Sequence, residues 1–420
     1  MTAPKTNAPF IAIACGGTGG HLFPGLAVAE QLKQRGCDVA LLISPKDVDQ
    51  QAVKSASGME IFTLPAVALQ NRNYFSFVRN FVKSWSSARK IFKQRQPVAV
   101  LAMGGFTSAP PIFAAKFLGI KTFLHESNTI PGRANRFLAR FVNVAFVGFP
   151  ETAARLNARK VTVTGTPVRP QFCSSRRESA HFSSEEIHSR LTSAATIENC
   201  RTALGLESNR PTILVVGGSQ GASGLNKMVL SALPLLAKKN WQWLHLTGAN
   251  DFEKVKTAYA ARGITAVVKP FLAEMDLALG AATVAVSRAG ASSLAEMAAM
   301  RLPSLLVPFP AAADNHQFFN ARIYEMSGAA RLLEQKKSTP EQVTAMLAEL
   351  VDDHSVRSKI QSALTQWHAP KAAEQIAENI LSAVFKNAGR PVNEEETPVL
   401  AREQNVPHPR KIEQHNLSAA

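Results

Sequence analysis

Short apolar runs alternate with longer stretches of helical period along most of this chain. In the first half, strand-like runs fall near 10–14, 38–43, 98–102, 121–125, 143–147 and 161–164. Helices are predicted near 20–35, 49–57, 75–95, 108–118, 132–140 and 151–157. Continuous apolar runs of this length suit strands covered on both faces, and their alternation with helices predicts a parallel, doubly wound α/β sheet. A turn-forming break, Thr164-Gly165-Thr166-Pro167, closes this half. Residues 171–198 are rich in serine and charge without an apolar period, which reads as an inserted connector. The alternation then restarts, with strands near 212–216, 242–247, 265–268, 283–286, 304–307 and 329–332. After a second break at Trp367-His368-Ala369-Pro370, a last amphipathic helix runs from about 371 to 386. The tail from Asn387 is polar and carries Pro391, Pro398, Pro407 and Pro409, a composition that predicts disorder. The expected organisation is a first domain over 1–165, a linker with an insertion over 166–198, a second domain over 199–367, a returning helix over 368–386 and the tail 387–420.

Each half opens in the same way. Phe10-Ile11-Ala12-Ile13-Ala14 runs into Gly16-Gly17-Thr18-Gly19-Gly20-His21, and Thr212-Ile213-Leu214-Val215-Val216 runs into Gly217-Gly218-Ser219-Gln220-Gly221-Ala222. A buried strand, then glycines, then a helix lets backbone approach a ligand closely and points free helix N–H groups at an anion. Two such openings predict two nucleotide-type domains facing across a cleft.

Charge narrows the class of partner. Of the net charge of +16, residues 1–170 carry +14, with 21 Lys/Arg against 7 Asp/Glu. Between Ile61 and His125 there are nine basic residues and no acidic one. A one-sided basic domain expects an anionic partner, whether nucleic acid, anionic membrane or phosphorylated substrate. The four cysteines, Cys15, Cys37, Cys173 and Cys200, form no CxxC pair or metal-spaced cluster, which fits a reduced cytosolic setting. No secretory signal is expected, because the apolar stretch at 10–14 is short and enters a glycine loop. The uncharged stretch 97–115 is broken by glycine and proline pairs and reads as strand and loop rather than as a membrane span.

On a helical wheel of residues 74–95, Tyr74, Phe77, Val78, Phe81, Trp85, Ala88 and Phe92 fall on one side. Arg79, Lys83 and Lys90 fall nearly opposite. This is either a helix packed on the sheet with a solvated cationic face or a membrane-surface helix, and the two are compatible. Arg79, Lys83, Trp85 and Lys90 are the membrane candidates.

Several loops carry chemistry. His21, at the mouth of the first glycine loop, is a base near neutral pH or a structural imidazole. Met103-Gly104-Gly105-Phe106-Thr107-Ser108 is a second glycine turn at a strand end, expected to line the same rim. His125-Glu126-Ser127-Asn128 follows another strand; it could bind a sugar hydroxyl, orient a base or cap a helix. In Ser287-Arg288-Ala289-Gly290-Ala291-Ser292-Ser293-Leu294-Ala295-Glu296, the carboxylate could take both hydroxyls of a ribose. Ser293 and Glu296 equally fit a capping box. Asp314-Asn315-His316-Gln317 is a polar cluster or an ordinary helix start. Asp47-Val48-Asp49 matches the DxD of metal-dependent sugar transferases, a three-residue match taken as chance.

Taken in order, these stretches resemble the MurG family, the bacterial N-acetylglucosaminyltransferases that convert lipid I to lipid II. The matching segments are GGTGGHLFPGLAVAEQL (16–32), AMGGFTSAP (102–110), LHESNTIPGRANRFLA (124–139), TGTPVRP (164–170), LVVGGSQGASGLN (214–226), SRAGASSLAE (287–296) and VPFPAAADNHQFFNA (307–321). They cover both halves in the family's order. The connector 172–195 and the tail fall outside the pattern.

The resemblance implies a GT-B fold of two Rossmann-like domains and a C-terminal helix crossing back to the first. It implies UDP-GlcNAc as donor, lipid I as acceptor, and no metal or other cofactor. Carried over by motif, the donor contacts are Thr18, Gly19, Gly20, Asn128, Arg169, Ser219, Leu272, Ala291, Ser292, Ser293, Leu294, Ala295, Glu296 and Gln317. His21 matches the family's candidate base, with Glu126 the alternative. The implied setting is peripheral, on an anionic membrane surface at the cytoplasmic face of the inner membrane, with other cell-wall enzymes as potential partners and no nucleic acid. Two rivals stand beside it. A UDP-GlcNAc 2-epimerase-like enzyme of similar fold would need no lipid and leaves the 72–95 segment unexplained. A nucleic-acid binder would use the basic half but leaves the paired glycine loops unexplained.

Overall fold

The computed structural model describes residues 8–17, 19–45, 58–65, 74–172, 196–218 and 221–385. The expected helix at 49–57, the insertion from 173, the tail from 387, and both Thr18 and Ser219 lie outside the described residues.

The N-terminal domain runs β1 (Phe10–Ala14), α1 (Gly19–Gln34), β2 (Asp38–Ile43), β3 (Glu60–Thr63), α2 (Tyr74–Arg95), β4 (Ala99–Ala102), α3 (Ala109–Phe117), β5 (Lys121–Glu126), α4 (Arg133–Leu138), β6 (Val144–Val147), α5 (Pro150–Ala153) and β7 (Val161–Val163). Its seven strands are parallel, in the order β3-β2-β1-β4-β5-β6-β7. All but one match the apolar runs. The exception is β3, whose Glu-Ile-Phe-Thr pattern is short and half polar because it lies at the sheet edge. Ile11, Ile13, Leu41 and Phe123 are fully buried on one face, and Leu42, Val100 and Leu124 on the other. Each such side chain contributes roughly 1.5–3 kcal/mol relative to exposure.

The C-terminal domain runs α6 (Ile197–Ala203), β8 (Thr212–Val216), α7 (Ser223–Leu236), β9 (Gln242–Leu246), α8 (Phe252–Ala260), β10 (Ala266–Lys269), α9 (Met275–Ala281), β11 (Val284–Ser287), α10 (Ala291–Ala299), β12 (Ser304–Leu306), α11 (His316–Met326), β13 (Arg331–Leu332), α12 (Pro340–Asp352) and α13 (His354–Leu364). Its parallel sheet has the order β10-β9-β8-β11-β12-β13. In both sheets the strand order reverses beside the first strand, between β1 and β4 and between β8 and β11. Ligands in open α/β sheets bind beyond the carboxyl ends of the strands at such a switch point. The glycine loops after β1, β4 and β8 and the loop after β11 all lie there.

The chain crosses between the domains twice. Gly165, with φ of 79°, abuts Ala369 so closely that a side chain there would overlap it. Beside the crossing, Trp367 stacks on Tyr324 at 4.9 Å and meets Phe149 of the N-terminal domain at 5.6 Å. The last helix, α14 (Ala372–Phe385), then buries Ala373, Ile376, Ala377 and Ile380 in the N-terminal core. Arg35, immediately after α1, adds ion pairs to Glu374 and Glu378 at 3.2 Å each.

Candidate active site

The site begins where α1 and α10 meet end to end. Pro24 lies inside α1 and has no N–H, so the carbonyl of Gly20, four residues earlier, lacks its helical donor. That carbonyl accepts instead from the Ser292 hydroxyl of the opposite domain, at 2.9 Å. The first glycine loop is thereby held against the first turn of α10.

His21 follows Gly20 on α1, half-buried, beneath the second glycine turn. Gly104 and Gly105 take φ of 108° and 79°. A Cβ on Gly104 would come 2.9 Å from His21 Cε1, and one on Gly105 would come 3.1 Å from His21 Cδ2. The pair therefore both makes the turn and leaves room for the imidazole. Thr107 ties this turn to the first loop by donating to the Gly16 carbonyl at 2.6 Å, so the two loops line one rim as the strand ends predict.

Glu126 is buried at the end of β5. Its Oε1 accepts from the backbone N–H and side-chain amide of Asn128 at 2.8 and 3.0 Å. Its Oε2 accepts from Gly132 N–H at 3.0 Å and Asn135 Nδ2 at 2.8 Å. Four donors on one carboxylate make it the organiser of the loop from 126 to 132. His125 beside it is buried, pairing with the Gly165 carbonyl at 3.1 Å and the Ser127 hydroxyl at 3.3 Å; burial pushes its pKa down to about 4. It is a neutral structural imidazole beneath the crossing.

The loop that Glu126 organises is gripped from the other domain by Asn320, a residue the sequence motifs did not single out. Asn320 is fully buried on α11. Its Oδ1 accepts from Thr129 N–H at 3.0 Å and the Thr129 hydroxyl at 2.8 Å. Its Nδ2 donates to Asn128 Oδ1 at 3.0 Å and to the Ala289 carbonyl at 3.1 Å. Its sequence signals were its place inside the matching segment 307–321 and one turn after Gln317 on the same helix. At the rim, Asp314 pairs with Arg133 at 3.1 Å and Arg136 at 2.7 Å, and these guanidinium groups hold its pKa below the usual carboxylate range.

Glu296 lies on α10, half-buried, within the field of Arg169. Burial pushes its carboxyl up to about 7, a rise the Arg169 charge partly offsets. The helix starts at Ala291 with Gly290 as its N-cap, so Ser293 and Glu296 sit inside the helix and form no capping box. That alternative is excluded. Arg169 is sandwiched between Phe23 of α1, at 4.2 Å from the ring centroid, and Phe172, at 5.0 Å. Ala291, Leu294 and Ala295 are buried, while Ser292 and Ser293 are half-buried. Gln317 accepts from Phe309 N–H at 2.9 Å, fixing the start of α11 on the loop after β12. Leu272 is packed into the C-terminal core. His21, Gly20, Asn128, Arg169, Ser292 and Glu296 thus gather where the two domains meet.

Two comparisons show the family. The glycosyltransferase family 28 N-terminal domain matches residues 11–147, and the family 28 C-terminal domain matches residues 212–379. The UDP-N-acetylglucosamine–N-acetylmuramyl-(pentapeptide) pyrophosphoryl-undecaprenol N-acetylglucosamine transferase of Anaeromyxobacter sp. (strain K) is 35% identical over 399 residues, covering 92% of this chain and 96% of the relative. The chain belongs to the MurG family.

The enzyme of the same name from Listeria welshimeri is 31% identical over 378 residues, covering 88% of this chain and 98% of its own. The crystal structure of Acinetobacter baumannii MurG superposes with a TM-score of 0.66 at 27% identity, over 89% of this chain and 99% of that one. A UDP-N-acetylglucosamine 2-epimerase shares the fold alone, with a TM-score of 0.63 at 14% identity. The fold is GT-B, and the chain is a MurG-type N-acetylglucosaminyltransferase of peptidoglycan synthesis. The epimerase and nucleic-acid alternatives are not favoured.

Proposed function

We propose that this enzyme moves GlcNAc from UDP-GlcNAc to the muramoyl C4 hydroxyl of lipid I, with inversion at the anomeric carbon. The observation that carries this is the Ser292–Gly20 bond, which sets the His21 loop of one domain against the Glu296 helix of the other. Glu296, one and a half turns into α10, is the ribose ligand, and its raised pKa fits a carboxylate awaiting hydroxyl donors. The N-termini of α1, α7 and α10 supply partial positive charge for the diphosphate. His21 takes the proton from the C4 hydroxyl as that oxygen bonds to the anomeric carbon. The bond from that carbon to the β-phosphate oxygen breaks, and UDP leaves with its electron pair. Oriented N–H groups and Arg169 stabilise the charge that develops there. Glu126 serves by holding the Asn128 loop rather than by taking the proton. Among the described residues no group of three or more His, Cys, Asp or Glu is arranged to hold a metal ion.

The acceptor is lipid-linked, and α2 offers a surface for it. Phe75, Val78 and Val82 are 81%, 57% and 53% exposed and lie beside exposed Arg79 and Lys83. Val78 thus parts from Phe77 and Phe81, with which the wheel had grouped it. Trp85 turns inward, edge-on to Phe117 at 6.0 Å with Arg89 over its ring. Exposed Phe117 and Phe137 extend the apolar patch. No helix among the described residues is long and apolar enough to cross a membrane. We assign the stripe Phe75, Val78, Arg79, Val82 and Lys83 to peripheral contact with the anionic cytoplasmic leaflet. Transfer from labelled UDP-GlcNAc to a lipid I analogue, in the wild type and in His21→Ala, tests the reaction. His21→Ala should lower kcat by roughly 10²–10⁴ while still binding UDP.

A further inference from the structure

Beneath the glycine loop of the C-terminal domain runs a buried polar chain that none of the motifs accounts for. His245, in the middle of β9, is fully buried. Its Nδ1 faces the Tyr259 hydroxyl of α8 at 3.1 Å, and its Nε2 faces Asn226 Oδ1 of α7 at 3.0 Å. Asn226 Nδ2 donates to the Thr247 carbonyl at 2.9 Å and to Asp251 Oδ2 at 2.8 Å. Asp251 also accepts from the side chain of Ser223, the first residue of α7.

One proton arrangement satisfies every group. Both partners of Asn226 Nδ2 are acceptors, so its other atom is the carbonyl oxygen, and His245 Nε2 must carry the hydrogen. Nδ1 is then bare, and the tyrosine hydroxyl donates to it. Burial keeps the imidazole neutral, with its pKa near 3, and keeps the phenol protonated. The far end of the chain meets the glycine loop at two points. Ser223 is tied to Asp251. Gly221, with φ of 77°, sits so tightly on the Thr247 carbonyl and Gly248 that a side chain there would overlap them.

We propose that His245 is a positioning residue for the donor's diphosphate: through Asn226 and Asp251 it fixes the height and tilt of Gly221 and of the α7 N-terminus. The inference rests on the reading that this helix end receives the diphosphate. A shift of a few tenths of an ångström in N–H groups aimed at phosphate oxygens weakens that contact and spares contacts to the uracil and ribose.

The test compares the affinities of UDP and uridine for the full-length enzyme by calorimetry. The variants are His245→Phe, which keeps the ring volume and removes both nitrogens, and Asp251→Ala, which cuts the chain at its half-buried end and leaves the core intact. His245→Gln, which keeps a donor, serves as a partial rescue. We expect UDP affinity to fall about tenfold in His245→Phe and several-fold in Asp251→Ala, with uridine affinity changed less than about twofold. The KM for UDP-GlcNAc should rise in step. A wild-type preference for UDP retained undiminished in Asp251→Ala and in folded His245→Phe overturns the proposal alone. A wild-type enzyme that does not prefer UDP to uridine overturns it together with the diphosphate reading beneath it.

Discussion

At the scale of single residues, the site depends on groups whose ionisation and room are set by neighbours. Glu296 is pushed up to about 7 by burial. Hydroxyl donors favour the charged carboxylate, so nucleotide binding should lower its pKa and release a proton near neutral pH. UDP affinity should therefore decline as the pH falls from about 8 to about 6 in the wild type and stay flatter in Glu296→Gln. Stability runs the other way. A carboxyl with a raised folded pKa binds more protons folded than unfolded, so it costs stability as pH rises from the ordinary carboxylate value of 4.5 to about 7. Glu296→Gln should then raise the melting temperature of the free enzyme at pH 8 and leave it unchanged at pH 4; a fall at pH 8 contradicts the assignment. Gly105→Ala tests the room made for the imidazole. Its methyl would crowd His21 at a positive φ, so kcat should drop at least tenfold with donor KM nearly unchanged.

At the scale of elements, the strands and their glycine punctuation were legible because buried parallel strands read as continuous apolar runs. The edge strand β3 was not, since half its positions face water. Helix α2 was legible as a helix, but its faces were only partly so. Phe77, Phe81, Ala88 and Phe92, which the wheel had put on one side, turn to the domain, whereas Val78 joins Phe75 and Val82 outside. A single helix with apolar residues on two sides gives no internal clue to which side a neighbouring sheet will cover. The two-sided pattern suits the contact with a bilayer proposed for α2. Charge reversal of Arg79, Lys83 and Lys90 to Glu should release the enzyme from anionic vesicles, since each cation at such a surface is worth about 1 kcal/mol. Phe75→Ser with Val82→Ser should weaken binding to neutral vesicles as well. In both variants, transfer to a short, soluble acceptor should persist. Unchanged sedimentation of the triple variant with anionic vesicles at low salt would place the attachment elsewhere.

At the scale of the whole molecule, the question is what holds the two domains in register. The motifs picked out residues in each half that come together where the domains meet, but none could show that Asn320 on α11 would reach Thr129 and Asn128, more than 190 positions away. Contacts between domains leave no periodicity in a sequence. The exposed Arg133 and Arg136 pairs with Asp314 should add little. The buried Asn320 carboxamide, with all four of its hydrogen bonds made across the cleft or to Ala289, should matter more. Asn320→Ala should cost the closed arrangement about 1–3 kcal/mol and enlarge the radius of gyration seen by small-angle scattering. Asp314→Ala should leave that radius unchanged within error. The opposite ranking would make the ion pair the latch.

Labelled UDP-GlcNAc and a short-chain lipid I analogue, incubated with the purified enzyme in EDTA, put the facing of the His21 loop and the Glu296 helix to its most direct test. UDP and a β-linked disaccharide-lipid should appear in equal amounts, the chelator should not slow them, and His21→Ala should bind UDP yet form almost no product. Consumption of UDP-GlcNAc to a free sugar-nucleotide isomer without acceptor, or transfer that stops in EDTA and returns with Mg²⁺ or Mn²⁺, would contradict it.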